Sequence, residues 1–422
     1  MTTTGPRLHE TLGELRETYM AFVDKKLKLD MTRGKPSPEQ LDLAHGLLET
    51  VTSSSFKAED GTDTRNYGGL EGLPEARKLF ADLFGVAPGE VIIGGNSSLQ
   101  LMFDTLLRCH VFGTVGGTEP WSHHKVKWLC PVPGYDRHFA IVQHLGYELV
   151  NVPMTGEGPD MDVVERLVAA DPTVKGIWIV PKYANPTGES VSADNVQRLA
   201  TMQTAAPDFR VFWDDAYTVH HLHDDPKDQD HLENLLAACK LAGNPNRVFI
   251  FGSTSKISHA GAGLAAFAAS DANIAWTKLH LGKQTIGPDK VNQVRTVRFF
   301  KDVGGIREHM KRHAALLRPR FDAVLHALEA ELGGTGLATW TKPRGGYFVS
   351  LDVLPGNAKR VVELAAQAGV KLTEAGATFP HGKDPEDRNI RIAPSFPSQA
   401  EIELATRVVA TCVKLAWLAP KD

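Results

Sequence analysis

Apolar residues change their spacing along the chain, and each change marks an element. Over residues 9–29, Leu12, Leu15, Tyr19, Phe22 and Val23 recur at helical intervals, and the polar loop Met31-Thr32-Arg33-Gly34-Lys35-Pro36 follows. Residues 73–84 read as a helix begun by Pro74, because the first helical turn needs no N–H from that residue. Val91–Ile93 reads as a short strand closed by Gly94-Gly95, and residues 98–109 as the next helix. Short apolar runs at 127–130, 176–180, 211–213, 248–251 and 264–268 predict further strands, with a helix over 139–145 and helix-sized segments or loops between the others. Runs that are apolar without alternation suit strands covered on both faces. The pattern therefore predicts an α/β fold with a mostly parallel sheet between helices.

After about residue 300 the texture shifts. A long helical pattern over 306–332 leads into glycine-rich turns, the segment 345–351, a helix over 358–368 and a strand over 389–392. This reads as a smaller α+β domain (residues 301–422) packing with an N-terminal arm (1–50) beside a large domain (51–300), as expected for a chain of 422 residues. Composition narrows the class without naming it. Hydrophobic residues at 42%, charged residues at 23% and a net charge of −4 describe an ordinary globular protein with no bias towards nucleic acid or membrane surfaces. Met1-Thr2-Thr3-Thr4-Gly5-Pro6-Arg7 lacks the charged-then-apolar build of a secretory signal. Cys109, Cys130, Cys239 and Cys412 form no C-x-x-C pair and read as reduced thiols, so a cytoplasmic location is expected.

The chemistry begins at Lys256. It closes the run Val248-Phe249-Ile250-Phe251-Gly252-Ser253-Thr254-Ser255-Lys256, in which an apolar strand breaks into small hydroxyl residues. A lysine at that mouth is placed for partial desolvation, which lowers its pKa and makes the amine a nucleophile towards an aldehyde. In α/β sheets the loops leaving the carboxyl ends of strands carry the site. Reading only those loops gives Gly94-Gly95-Asn96-Ser97-Ser98, Tyr135 to His138, Asn185-Pro186-Thr187-Gly188, Asp214-Asp215-Ala216-Tyr217 and the lysine loop. Each group suits one part of pyridoxal phosphate. A helix start with Asn96, Ser97 and Ser98 offers donors to a phosphate, and Ser253 and Ser255 add hydroxyls. Tyr135 offers a flat face to a pyridine ring. A carboxylate favours the protonated ring nitrogen, and Asn185 and Tyr217 can bond the ring's phenolic oxygen.

Together these motifs resemble the fold-type I, class I/II pyridoxal-phosphate aminotransferases. Asn185-Pro186-Thr187-Gly188, Asp214-x-Ala216-Tyr217 and Ser253-x-Ser255-Lys256 occur in that family's order, and the likeness runs from about Arg33-Gly34 to Arg391. The resemblance implies the fold of that family, a large domain with a seven-stranded sheet, and a cofactor bound as an imine on Lys256. It implies Asp214 on the pyridine nitrogen with His138 behind it, Asn185 and Tyr217 on the phenolic oxygen, and Tyr135 stacked on the ring. Asp214 is chosen over Asp215 by the family's offset to the tyrosine, since strand parity alone leaves both open. Tyr67, in Asn66-Tyr67-Gly68-Gly69, matches the tyrosine that reaches the phosphate of a neighbouring subunit, so a homodimer with shared sites is implied. Arg391, in Asn389-Ile390-Arg391-Ile392, matches the arginine that grips the substrate α-carboxylate, with Arg33 and Gly34 beside it as further substrate contacts.

One departure stands out. The family's phosphate-contacting arginine falls at Leu264 here, and Lys290, in Ile286-Gly287-Pro288-Asp289-Lys290, is the candidate replacement. That change, with Thr32-Arg33-Gly34-Lys35-Pro36, is similar to a divergent bacterial aspartate aminotransferase subgroup. Aspartate, glutamate and their 2-oxo acids are the implied substrates, with Arg33, Lys35, Lys290 and Arg295 all open as holders of a distal carboxylate. Blander readings stand beside these. His220-His221-Leu222-His223-Asp224-Asp225 reads as a polar surface loop rather than a metal site. Gly261-Ala262-Gly263-Leu264 mimics a dinucleotide fingerprint but reads as a strand entry. Tyr135 could be core, and Arg391 a structural ion pair. The alternative functions are transamination of alanine, aromatic or other neutral amino acids, and a β-eliminating lyase. A DNA-binding regulator is disfavoured because about 30 N-terminal residues cannot hold a winged helix-turn-helix.

Overall fold

The computed structural model describes residues 8–418; the Met1 to Arg7 stretch weighed above as a signal lies outside the described residues. The expected sheet has seven strands in the order Val91–Ile93, Ala265–Ala268, Val248–Ser253, Arg210–Asp214, Val174–Ile179, Lys127–Val132, Glu148–Pro153. Only Ala265–Ala268 runs against its neighbours, pairing antiparallel with Val91–Ile93 and Val248–Ser253. The sequence pattern missed the edge strand Glu148–Pro153, whose residues are mostly exposed or half-buried and whose run is broken by polar side chains.

Both faces of the sheet are covered, and the two-residue period of a strand sorts the side chains between them. Val211, Trp213, Val248 and Ile250 enter the core on one face, while Phe212, Phe249 and Phe251 enter the core on the other. Burying one such phenylalanine contributes about 1.5–3 kcal/mol, so the central strands carry much of the stability.

The chain ends build a second body. The helix Leu12–Val23 begins at a Thr11–Glu14 capping box and buries Leu15 and Tyr19. Tyr19 donates its hydroxyl to the Leu364 carbonyl at 3.0 Å, and the strand Leu29–Asp30 pairs parallel with Val370–Lys371. A small antiparallel sheet, in the order Asn389–Ile392, Val349–Val353, Ala338–Trp340, packs in the same core as the helix Gln399–Leu418. The helix Val303–Leu332 links the two bodies. Ile306 and Met310 belong to the core of the large sheet, whereas Leu317, Phe321, Val324 and Leu328 belong to the second core. Among the described residues no helix is long and apolar enough to cross a membrane.

Candidate active site

Parallel pairing brings the carboxyl ends of the central strands to one level. Trp213 sits opposite Ile179 and Asp214 opposite Phe251, so the loops after these strands leave side by side. They enclose a cavity of about 240 Å³ lined by Tyr135, Asn185, Asp214, Tyr217, Lys256 and Arg391, with Gly34 at its wall. Gly34 belongs there for a steric reason. A Cβ at that position would fall 2.0 Å from the Phe348 ring, which also lines the cavity.

Lys256 rides on a tight turn. Ile257 and Ser258 donate their N–H groups to the Thr254 carbonyl, and Leu264 donates its N–H to the Thr254 hydroxyl at 2.9 Å. The Lys256 ammonium lies 5.0 Å from the centre of the Tyr217 ring. Burial lowers its pKa from the ordinary lysine value, with the Asp214 carboxylate opposing the shift. Its backbone carbonyl is held by two groups that the sequence did not suggest, His220 Nε2 and the Tyr347 hydroxyl, each at 3.3 Å. His220 departs from the surface-loop reading of residues 220–225, of which Asp224 and Asp225 are exposed as expected. It is 3% exposed and packs edge-on against Tyr217 and Tyr347. Burial pushes its pKa well below the usual histidine value, so the ring is neutral.

Asp214 is buried and accepts a hydrogen bond from His138 Nε2 on Oδ2 at 2.9 Å. The His138 ring is itself stacked on Trp178 (centroids 4.5 Å apart, planes at 13°), which sets its orientation, and Tyr135 meets it edge-on at 4.9 Å. The second Asp214 oxygen, Oδ1, is buried with no hydrogen-bond partner. An unpartnered carboxylate oxygen is costly to bury, and it fits a cationic ring nitrogen. Asp215 faces elsewhere: it does not line the cavity, and burial lifts its carboxyl to about 6.

Three of the five expected phosphate donors, Asn96, Ser253 and Ser255, meet beside the lysine turn, and none of the five lines the cavity. Ser255 Oγ donates to the Asn96 carbonyl at 2.9 Å, Asn96 Nδ2 to the Gly261 carbonyl, and Ser253 Oγ accepts from the Ser255 N–H. Ser97 caps the helix Ser98–Phe112. Gly263 lets the returning chain pass, since a Cβ there would stand 2.8 Å from the Ser255 nitrogen. Leu264 is buried and supplies no charge. Lys290 is also buried, but its ammonium donates to the Gly68 carbonyl at 2.7 Å. Within one chain it therefore braces the loop bearing Tyr67, whose side chain is 83% exposed, and neither residue lines the cavity.

Arg391 lies in the strand Asn389–Ile392, opposite Ser350. Its Nη1 donates to Asp136 Oδ1 at 3.2 Å and Asn185 Oδ1 at 3.3 Å, its Nη2 to the Thr373 hydroxyl, and the Phe348 ring lies 5.0 Å from it. The ion pair considered from sequence exists, with the exposed edge of Asp136 at the cavity. None of the four cations held open for a distal carboxylate lines this cavity. Arg33 turns to Asp30, Lys35 lies over Phe396, Arg295 bonds Asn292 and Ala262, and Lys290 is placed as above. The substrate contact expected of Arg33 is thus absent within one chain, because Asp30 holds its guanidinium on the surface.

A larger cavity, about 510 Å³, opens near Lys182, His221 and Arg307. It contains neither Lys256 nor Asp214, so size does not locate the chemistry. Behind the lysine turn lies a network of neutral histidines. His309 donates to the Ile257 carbonyl at 2.8 Å, His313 sits 3.0 Å from His309, and Gln40 donates to His313 and Tyr347. Burial pushes His309 down to about 4 and His313 to about 3. Unfolding would free both rings to take a proton below their ordinary value of 6.5, so the unfolded chain binds more protons there. Stability is complete above pH 6.5 and declines as pH falls towards those lowered values, by on the order of 1 kcal/mol per pH unit per ring. Urea midpoints should fall on acidification over this window, and His313→Gln should flatten the fall; an unchanged slope in the variant would remove the network from the account.

Comparison with known proteins gives the family and the fold. A sequence model of the family described as aspartate amino-transferase matches residues 4–420. A protein from Mycolicibacterium smegmatis described as a putative aminotransferase is 53% identical over 95% of this chain and 94% of its own. The crystal structure of an aspartate transaminase from Corynebacterium glutamicum superposes with a TM-score of 0.93 at 50% identity, covering 96% of this chain and 95% of that one. An α-aminoadipate aminotransferase from Thermus thermophilus, solved with N-(5′-phosphopyridoxyl)-L-leucine, shares the fold (TM-score 0.74, 22% identity, 96% of each chain). With its mostly parallel seven-stranded sheet and these relatives, the chain has the fold of the fold-type I pyridoxal-phosphate-dependent transferases and belongs to the aspartate aminotransferase family.

Proposed function

We propose that the protein is a pyridoxal-phosphate-dependent transaminase that moves an amino group between L-aspartate or L-glutamate and a 2-oxo acid in two ping-pong half-reactions. The observation that carries this reading is the shared cavity. A partly desolvated lysine amine, a buried carboxylate with one oxygen unpartnered, and an arginine fork line the same 240 Å³. The relative named aspartate aminotransferase in Corynebacterium glutamicum, 50% identical over 96% of this chain, supports the substrate choice.

When bound, pyridoxal phosphate supplies an aldehyde and an electron-withdrawing ring that makes a substrate Cα–H acidic. The residues present fit such a group. Asp214, steadied by His138, would hold the protonated ring nitrogen through its free Oδ1. Tyr217 keeps its phenol proton, because burial raises its pKa well above the ordinary value, and so donates to the ring oxygen. Asn185 joins it through Nδ2, which has no hydrogen bond among the described residues. Tyr135 would lie against the ring face, and Asn96, Ser97, Ser98, Ser253 and Ser255 would supply phosphate donors. Lys256 provides the amine for the aldehyde and then, as a free amine, takes the proton from substrate Cα. Arg391 holds the α-carboxylate and so fixes the Cα–H bond near Lys256 Nζ.

The reading includes a homodimer in which Tyr67 and the loop braced by Lys290 serve the partner's phosphate site; the wide exposure of Tyr67 on one chain supports it. It also includes a cytoplasmic location, supported by four buried cysteines without disulfides. Mixing the cofactor-loaded protein with each of the twenty amino acids and following loss of its near-visible band tests the whole reading. Aspartate and glutamate should react fastest. Reaction confined to neutral amino acids, or pyruvate release without a keto-acid acceptor, would replace it. Arg391→Ala should raise KM for amino and keto acid alike, because the contact exists in ground and transition states. An unchanged KM would move the carboxylate anchor elsewhere.

A further inference from the structure

We infer that the cavity of about 510 Å³ beside the start of the helix Val303–Leu332 is a second binding site, built for the phosphate group of a small metabolite. It shares no lining residue with the catalytic cavity, and its volume is that of a small-ligand pocket. Lys182 is the residue that points to a ligand. It lines the cavity yet is only 8% exposed. Of the three donors on its ammonium, one reaches the Thr218 carbonyl at 3.2 Å, and the charge has no ion pair among the described residues. A buried cation is stable where it is paired or fully hydrogen-bonded, so this one is short of an anion.

Two further donors face the same space. Arg307 lines it, is exposed, and makes neither a hydrogen bond nor an ion pair among the described residues. His221 also lines it, and its Nδ1 lies 2.7 Å from the Tyr183 hydroxyl. That hydroxyl already accepts the Asp230 N–H, so its own proton goes to Nδ1. Burial pushes His221 down to about 4, so the ring is neutral and carries its hydrogen on Nε2. Burial also lowers the Lys182 pKa, against the pull of Asp215 and Asp230, and the Arg307 charge adds to the fall. The acids on the lining are otherwise engaged or at the rim. Glu308 accepts from Lys311 at 2.5 Å, Asp230 accepts the Ser190 hydroxyl at 2.6 Å, and Asp224 is exposed. No group of three metal-ligating side chains gathers among the described residues, so the histidines here do not form a metal site. An ammonium, a guanidinium fork and an imidazole N–H remain, and together they suit phosphate oxygens.

The test titrates cofactor-loaded, full-length protein with inorganic phosphate by calorimetry and compares thermal midpoints with and without it. The wild type should take up phosphate and gain thermal stability from it. Lys182→Met and Arg307→Ala should each bind it about tenfold to a hundredfold more weakly, with the near-visible band of the cofactor unchanged. Without phosphate, Lys182→Met should melt above the wild type, because an unpaired buried charge is gone. Arg307→Ala, on an exposed side chain, carries the test if Lys182→Met does not fold. Absence of phosphate uptake by the loaded wild type would overturn the site, as would uptake undiminished in either folded variant. Uptake abolished by Arg391→Ala would place the anion in the catalytic cavity and overturn it too.

Discussion

Lys256→Ala is expected to lose multiple-turnover transamination, by on the order of 10⁴-fold or more. A positioned general base alone supplies about 10² to 10⁴, and this substitution removes the aldehyde-binding amine as well. The fold should survive. The Lys256 side chain makes no hydrogen bond among the described residues, and the turn beneath it is held by Thr254, His220 and Tyr347 through the backbone. Far-ultraviolet dichroism and thermal midpoint should therefore match the wild type while turnover disappears. Borohydride should fix pyridoxal covalently to position 256 of the wild type and leave the variant unlabelled there. Wild-type turnover in the variant would remove Lys256 from the chemistry.

Asp214→Asn carries the second large effect. The amide can still accept the His138 bond, so packing is retained, but the charge that holds the ring proton is gone. Removing one partner of a buried charged pair costs about 3–5 kcal/mol, which at about 1.4 kcal/mol per decade is a fall in kcat of roughly 10² to 10⁴. Asp215→Asn is the control, one residue away. Asp215 lies outside the cavity, and its carboxyl is lifted to about 6 because burial disfavours its charge. Neutralising it should leave turnover largely intact and raise stability slightly at neutral pH, since a strained charge is removed. Equal losses in the two variants would mean that the wrong carboxylate has been placed on the cofactor.

The contrast between these aspartates shows where sequence reasoning stops. Val211-Phe212-Trp213 announces a strand buried on both faces, and whatever follows it must emerge at the sheet's carboxyl edge. Asp214, Asn185, Tyr135 and Lys256 were legible for that reason: each follows such a run, and its chemistry can be read from residue type. The edge strand Glu148–Pro153 was not legible, because its exposed side carries polar residues that dilute the pattern. Nor were His220 and Tyr347, which meet the Lys256 carbonyl from loops 36 and 91 residues away.

By itself the sequence determined the strand cores, the carboxyl-edge loops and the kinds of group they carry, because strand periodicity and side-chain chemistry are local properties. Tertiary structure alone decided which of those groups share a cavity. It turned Asp136 onto Arg391 and drew Lys290 to Gly68. Those pairings depend on distances between segments hundreds of residues apart. Such distances are set by how the two cores pack, and no local pattern encodes them.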